Sequence, residues 1–285
     1  SISHGLLHLI AVISVFFVQV IAITLNYSPS MSIVLQQLEK IAQAIYPQCK
    51  LNQFKMLTGG ISAQTIRLDI TLPDNHIRKV VLRQHGEIDR NLNPNIASDE
   101  YQLLDILFNT GLPVPKPIYV DTSNTITDIP YLVIEYVEHH PFDATSITVQ
   151  HIQQVAELLC KIHQVNLSKH DLSFLPDAMD ALQSRLTQPP SSATQHIHEA
   201  LIQALPHLKL NDISLLHGDY WLGNLLWHNG EIVSVIDWED AMRGDPLCDL
   251  GKSRLEILWA VGKNWMQTYT EFYLSLMPHL DATYL

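Results

Sequence analysis

The chain has 285 residues, of which 47% are hydrophobic and 16% charged, enough apolar surface for a packed core and no sign of bulk disorder. Asp and Glu number 29 against 17 Lys and Arg, a net charge of −12 that argues against a nucleic-acid partner, whose phosphates need a basic face. Cys49, Cys160 and Cys248 are far apart and form no CxxC pair, so neither a disulfide framework nor a zinc site is indicated, and a reducing, cytoplasmic setting fits. His139-His140 and the His196/His198 pair lack further ligands at metal spacing.

In chain order, the first feature is an apolar run from Leu6 to Leu25, broken only by His8, Ser14, Gln19 and Thr24. Its roughly 20 residues would span a bilayer. No Lys or Arg precedes it, so it lacks the basic start of a secretory signal. Two readings of residues 1–30 stand. The run is a membrane anchor, with Lys40 and Lys50 placing the rest in the cytoplasm, or it lies upstream of a translation start at Met31. A membrane is a partner only in the first.

Ile33–Ile45 follows with helical spacing at Val34, Leu38, Ile41 and Ile45. Strand-like runs around Phe54–Leu57 and Ile61–Ile70 flank Thr58-Gly59-Gly60, and a third strand, Ile77–Arg83, follows the Asp74-Asn75 turn. Ile96–Phe108 is helical and ends at Gly111, a C-cap glycine. Pro113, Pro115 and Pro117 force extended backbone, and Tyr131–Val137 is a nearly continuous apolar strand, buried on both faces. The pattern then changes. Val149–His163 is a helix, and Pro189-Pro190-Ser191-Ser192 a loop. Ile213–Leu216, Leu225–His228 and Ile232–Ile236 are short strands, the last two joined by Asn229-Gly230, which suits a type I′ turn with φ > 0 at both positions. Leu247–Val261 and Trp265–Met277 are helices. The fold class is therefore α+β, with a β-rich N-terminal lobe over residues 31–137 and a mainly helical C-terminal lobe over 138–285. The crevice between the lobes is the default ligand site.

The stretch that carries chemistry is His217-Gly218-Asp219-Tyr220-Trp221-Leu222-Gly223-Asn224, followed by Ile236-Asp237-Trp238-Glu239. Phosphoryl transfer needs an acceptor hydroxyl oriented in line and a phosphate charge neutralised by metal. An Asp followed five positions later by an Asn offers both from one loop, a carboxylate for the hydroxyl and an amide oxygen for Mg²⁺. The Asn229-Gly230 hairpin folds a second carboxylate, Asp237, back toward Asn224 as another hard oxygen ligand.

These elements, with Gly244-Asp245-Pro246 and Asp249-Leu250 after them, resemble the aminoglycoside phosphotransferase / choline kinase-like family, whose fold is similar to that of protein kinases. The resemblance covers about Leu51 to Tyr273. It implies a small-molecule kinase that uses ATP and Mg²⁺ to phosphorylate a hydroxyl of an aminoglycoside-, sugar- or amino-alcohol-like acceptor. Asp219 is the implied catalytic base or orienting carboxylate, and Asn224 and Asp237 the implied magnesium ligands. His217 is read as a brace for the loop, Asp245 as a helix N-cap with Pro246 at N1, and Asp249 as the tie between that helix and the loop. Trp221 and Trp238 are read as packing.

Nucleotide contacts are expected from the N-terminal lobe. Gly59, Gly60 and Ser62 form a turn that lets backbone approach phosphates. Arg83 stands where protein kinases place a Lys against the α/β-phosphates, with Glu100 as its ion-pair partner. Glu135, Tyr136 and Val137 form the hinge segment facing adenine. A nucleotide-binding pseudokinase is the alternative reading, opposed by the intact Asp219, Asn224 and Asp237. A protein kinase is disfavoured by HGD in place of HRD. Family members commonly carry further helices after Asp249, where this chain has 36 residues, so the sequence reads as C-terminally truncated.

Overall fold

The computed structural model describes residues 35–57, 62–191, 194–207 and 209–283. The apolar run at 6–25 and the Gly59-Gly60 turn lie outside them. The chain divides between Glu138 and His139 into two compact units.

The first unit runs α1 (Leu35–Ile45), β1 (Lys50–Met56), β2 (Ala63–Thr71), β3 (Ile77–His85), α2 (Glu87–Leu92), α3 (Ile96–Asn109), β4 (Pro117–Asp121) and β5 (Tyr131–Glu135). The strands form one antiparallel sheet in the order β1-β2-β3-β5-β4. Strand alternation sorts its side chains onto two faces. Ile66, Leu68 and Ile70 of β2, Val80 and Leu82 of β3, and Tyr131 and Val133 of β5 pack with Leu38, Ile41 and Ala42 of α1 in one core. The intervening positions of β3, Val81, Arg83 and His85, face the other way. There α3 packs against β3, β4 and β5, burying Ile96, Ala97, Glu100, Leu103, Leu104 and Leu107. Gly111 ends α3 with φ +84°. Its N–H donates to Phe108 and that of Leu112 to Leu107, the paired bonds of a Schellman motif.

The second unit runs α4 (Val149–His163), α5 (Ala178–Leu186), α6 (Gln195–Ala204), β6 (Ser214–Leu216), β7 (Leu225–His228), β8 (Glu231–Val235), β9 (Met242–Gly244), α7 (Leu247–Val261) and α8 (Lys263–Leu276). Two ribbons, β6–β9 and β7–β8, carry the loops between them. Helix α8 packs against α4 and α7. Asn229 (φ 53°) and Gly230 (φ 81°) make the left-handed pair of the β7–β8 turn, with His228 opposite Glu231.

Several expected boundaries shift. Strand β3 continues two residues past Arg83 because Gln84 and His85 keep pairing with Gln64 and Ala63. Strand β5 stops at Glu135, so Tyr136 and Val137 lie beyond it. Four elements carry too little pattern to be read from sequence. Helix α2 buries no residue, α5 buries Leu182 alone and α6 Leu201 alone. Strand β9 is three residues long and exists through its pairing with β6. Among the described residues no helix is long and apolar enough to cross a membrane.

Candidate active site

The loop after β6 turns sharply at Gly218, where φ is +82° and an added Cβ would lie 2.0 Å from the Asp240 carbonyl oxygen. Only glycine fits, by conformation and by space. The turn exposes two successive amides, and Asp249 in the first turn of α7 accepts both: His217 N–H at 2.6 Å and Gly218 N–H at 2.9 Å. His163 Nε2 lies 3.2 Å from the same carboxylate, and its Nδ1 lies 2.6 Å from the Tyr273 hydroxyl. A carboxylate cannot donate, so Nε2 carries the hydrogen and Nδ1 accepts from Tyr273. Burial opposes ionisation of Asp249, but the hydrogen bonds from His163 and the His217 amide outweigh it and hold the carboxyl below its usual range.

His217 is fully buried and bonded on both ring nitrogens. Nε2 lies 3.0 Å from the Ile236 carbonyl, and the Asp219 N–H donates to Nδ1 at 3.1 Å. A carbonyl on one side and an amide hydrogen on the other require the neutral Nε2–H form. Burial pushes this imidazole below its ordinary pKa against the pull of Asp249 and Asp219. The ring packs against Trp238 with centroids 4.5 Å apart and planes tilted by 45°, and the Trp238 indole N–H donates to the Val235 carbonyl. Trp238 is therefore packing. Trp221 is 38% exposed and its ring lies over Gly223, where an added Cβ would come within 2.2 Å.

Asp219 and Asn224 are joined directly. Asn224 Nδ2 donates to the Asp219 carbonyl at 2.9 Å and to its Oδ2 at 3.0 Å. Both amide hydrogens are thereby used, which leaves Oδ1 as an outward acceptor. The hairpin bends back to the same place, since Ile236 N–H donates to the Asn224 carbonyl at 3.0 Å and Leu225 pairs with Val235. Asp237, the next residue, has φ +65°, a left-handed conformation that Asp tolerates better than most residues. The Asn224 amide oxygen and the carboxylate of Asp237, the residue after Asn224's backbone partner Ile236, are hard donors of the kind magnesium takes. This donor set fits the ion that the resemblance implies.

One member of this site is not among the residues read from the sequence. Lys252 on α7 places Nζ 2.6 Å from Asp219 Oδ1 and 2.8 Å from the Gly218 carbonyl. It lies three residues after Asp249, hence on the same helix face, and that spacing is the signal a reader of the sequence had. Asp245 differs from expectation by one step. Pro246 occupies the N-cap position, and the Asp245 carboxylate accepts from Leu247 N–H at 2.8 Å and Asn211 N–H at 2.8 Å.

In the first unit, Arg83 and Glu100 meet with Nε to Oε1 at 3.5 Å, both buried. Glu100 also takes His85 Nε2 at 2.7 Å, a partner that strand alternation places two residues beyond Arg83 on the same face. Ser62 accepts from Gly86 N–H at 2.7 Å. Glu135 N–H donates to Lys116, Tyr136 N–H donates to Lys79, and the Arg67 guanidinium lies over the Tyr136 ring. Val137 follows in the segment that leaves the unit.

A β-sheet unit followed by a helical unit that carries this loop and hairpin is the α+β, protein kinase-like fold of the small-molecule phosphotransferases. The chain belongs to the phosphotransferase enzyme family, whose model matches residues 54–283. It is similar to mouse acyl-CoA dehydrogenase family member 10, with 29% identity over 195 residues, 62% of this chain and 18% of that protein. The chain thus spans under a fifth of that relative's length. Among solved structures it is similar to the streptomycin-ATP-APH(2″)-IIa ternary complex, at TM-score 0.59 and 16% identity, covering 88% of this chain and 85% of that one. The macrolide 2′-phosphotransferase MphH from Brachybacterium faecium matches at TM-score 0.60 and 16% identity, over 85% and 83% of the two chains.

Proposed function

We propose that this chain catalyses transfer of the γ-phosphate of ATP to a hydroxyl group of a small molecule, with Asp219 as the catalytic carboxylate. The observation that carries this reading is the Asp219–Asn224 pair, a carboxylate fixed by an amide whose own oxygen is left for a cation. Asp219 accepts the hydrogen of the acceptor hydroxyl and takes that proton as the new oxygen–phosphorus bond forms and the bond from the γ-phosphorus to the leaving ADP oxygen breaks. Asn224 Oδ1 and the Asp237 carboxylate would hold magnesium, which neutralises phosphate charge when bound. Neutral His217 leaves the acceptor proton alone, since both of its nitrogens are engaged, and it fixes the Asp219 amide. In the first unit, Arg83 holds nucleotide phosphate while Glu100 and His85 fix its direction. The Gly59, Gly60 and Ser62 turn and the Glu135–Val137 segment supply backbone contacts to the nucleotide.

The acceptor is a small hydroxylated compound of the aminoglycoside, sugar or amino-alcohol type. The test is ADP release from Mg·ATP across a panel of such acceptors, run on the parent and on Asp219→Asn. Asp219→Asn should cut acceptor-dependent release to a small residual rate, measurable in single turnover, and leave Mg·ADP binding intact. Transfer at the parent rate by that variant would remove Asp219 from the chemistry.

A further inference from the structure

Asp219 is held at both oxygens by different chemistry. Asn224 Nδ2 takes Oδ2, and the Lys252 ammonium takes Oδ1 at 2.6 Å. The Lys252 side chain is 5% exposed, whereas that of Asp219 is 32% exposed. The carboxylate therefore faces outward while its cation lies behind it. Burying an ammonium costs several kcal/mol before pairing, and a buried ion pair contributes little net stability, so stability alone does not account for a lysine here. The terminal torsion of an aspartate is broad and two-fold, while a group that must receive a proton in line with phosphoryl transfer has to be held within about 0.5 Å and 10–20°. A single amide on Oδ2 leaves that rotation loose. A second contact on Oδ1 closes it.

The two grips come from one helix. Asp249 and Lys252 stand three residues apart on α7, Asp249 binding the backbone of His217 and Gly218, Lys252 binding the Asp219 side chain and the Gly218 carbonyl. Glu256, one turn further along α7, is half-buried, and burial followed by the charge of Asp219 raises its carboxyl pKa.

We propose that Lys252 is a positioning residue for phosphoryl transfer, fixing the Asp219 carboxylate from behind so that it meets the acceptor hydroxyl. This rests on the reading of Asp219 given above. Lys252 acts through Asp219, whose side chain is the more exposed of the two.

The test compares Lys252→Met and Lys252→Arg with the parent, singly and in the Asp219→Asn background, by single-turnover phosphate transfer. Acceptor KM, Mg·ADP affinity by calorimetry and urea stability are measured alongside. Lys252→Met should lower kcat by about 10–100-fold, the range a misplacement near 1 Å produces, with acceptor KM and Mg·ADP affinity within about 2-fold. Lys252→Arg keeps the charge and should restore most of the rate. In the Asp219→Asn background, Lys252→Met should change the residual rate less than 2-fold, because the group it positions is gone. A kcat within 2-fold of the parent in Lys252→Met would overturn the proposal. So would an equal loss in both backgrounds, which would mark a role in loop structure through Gly218, or a loss of Mg·ADP affinity, which would make Lys252 a nucleotide ligand. A parent-like rate in Asp219→Asn alone would instead sink the assignment of Asp219.

Discussion

Replacing Asp249 by Asn tests how the loop is held, because the change preserves shape and removes one acceptor. The native carboxylate receives three donors, His217 N–H and His163 Nε2–H at Oδ2 and Gly218 N–H at Oδ1. An amide offers one oxygen. Its better orientation keeps that oxygen toward His217 and His163 and turns NH₂ toward the Gly218 N–H, donor against donor. The stranded Gly218 amide costs about 1–3 kcal/mol, and weakening the charge-assisted bond to His217 adds roughly 1 kcal/mol. Asp249→Asn should therefore lose about 2–4 kcal/mol. Asp249→Ala, which strands all three donors, should lose more, about 3–5 kcal/mol. Urea denaturation followed by tryptophan fluorescence reads both, with the change appearing in the midpoint rather than the slope. Phosphate transfer should fall further than stability suggests, because the loop carrying Asp219 loses its anchor. If Asp249→Asn unfolded within about 0.5 kcal/mol of the parent, the three-donor account would be refuted.

Gly218→Ala combines a left-handed φ with a Cβ 2.0 Å from a backbone oxygen, so it should cost at least about 3 kcal/mol and abolish transfer even where the chain still folds. Glu100→Ala removes the buried carboxylate that Arg83 and His85 share. It should cost about 3–5 kcal/mol by denaturation and weaken Mg·ADP binding by calorimetry. Stability should decline with acid in two stages. His217 has a lowered folded pKa, so the unfolded chain takes up that proton first, and its share of stability is complete above about pH 6.5 and lost as pH falls below it. Asp249 is also lowered, so its share is complete above about pH 4 and lost below that. Urea midpoints across pH 3–8 should show both, and His217→Gln should flatten the upper stage. Asp237→Ala should weaken Mg·ATP affinity, and unchanged affinity by calorimetry would remove Asp237 from the metal.

Much of this fold is written locally. Asn229-Gly230 makes a two-residue hairpin because both positions need φ > 0, and that turn, with a one-residue bulge in β8 opposite Leu226 and Trp227, returns the chain before Asp237 to the start of β7. Gly111 ends α3 for the same reason, and the alternating apolar residues of β2 and β3 select the face that meets α1. Elements with nothing to bury were illegible. Helix α2 has no buried residue, and β9 is three residues that become a strand through β6.

For the candidate site, spacing within one loop and the hairpin after it is what the sequence offered for Asp219, Asn224 and Asp237, and the structure joins Asp219 to Asn224 directly. The contacts that complete it join positions far apart in sequence. Lys252 reaches Asp219 across 33 residues, and His163 reaches Asp249 across 86. A lysine three residues after an aspartate on a helix looks like an ordinary exposed pair until packing buries its stem and leaves its ammonium on the Asp219 carboxylate. Local backbone preference is a property of a few adjacent residues and can be read from them. Which oxygen meets which nitrogen across a packed core depends on how the helices settle against the loop, and that only the tertiary structure decided.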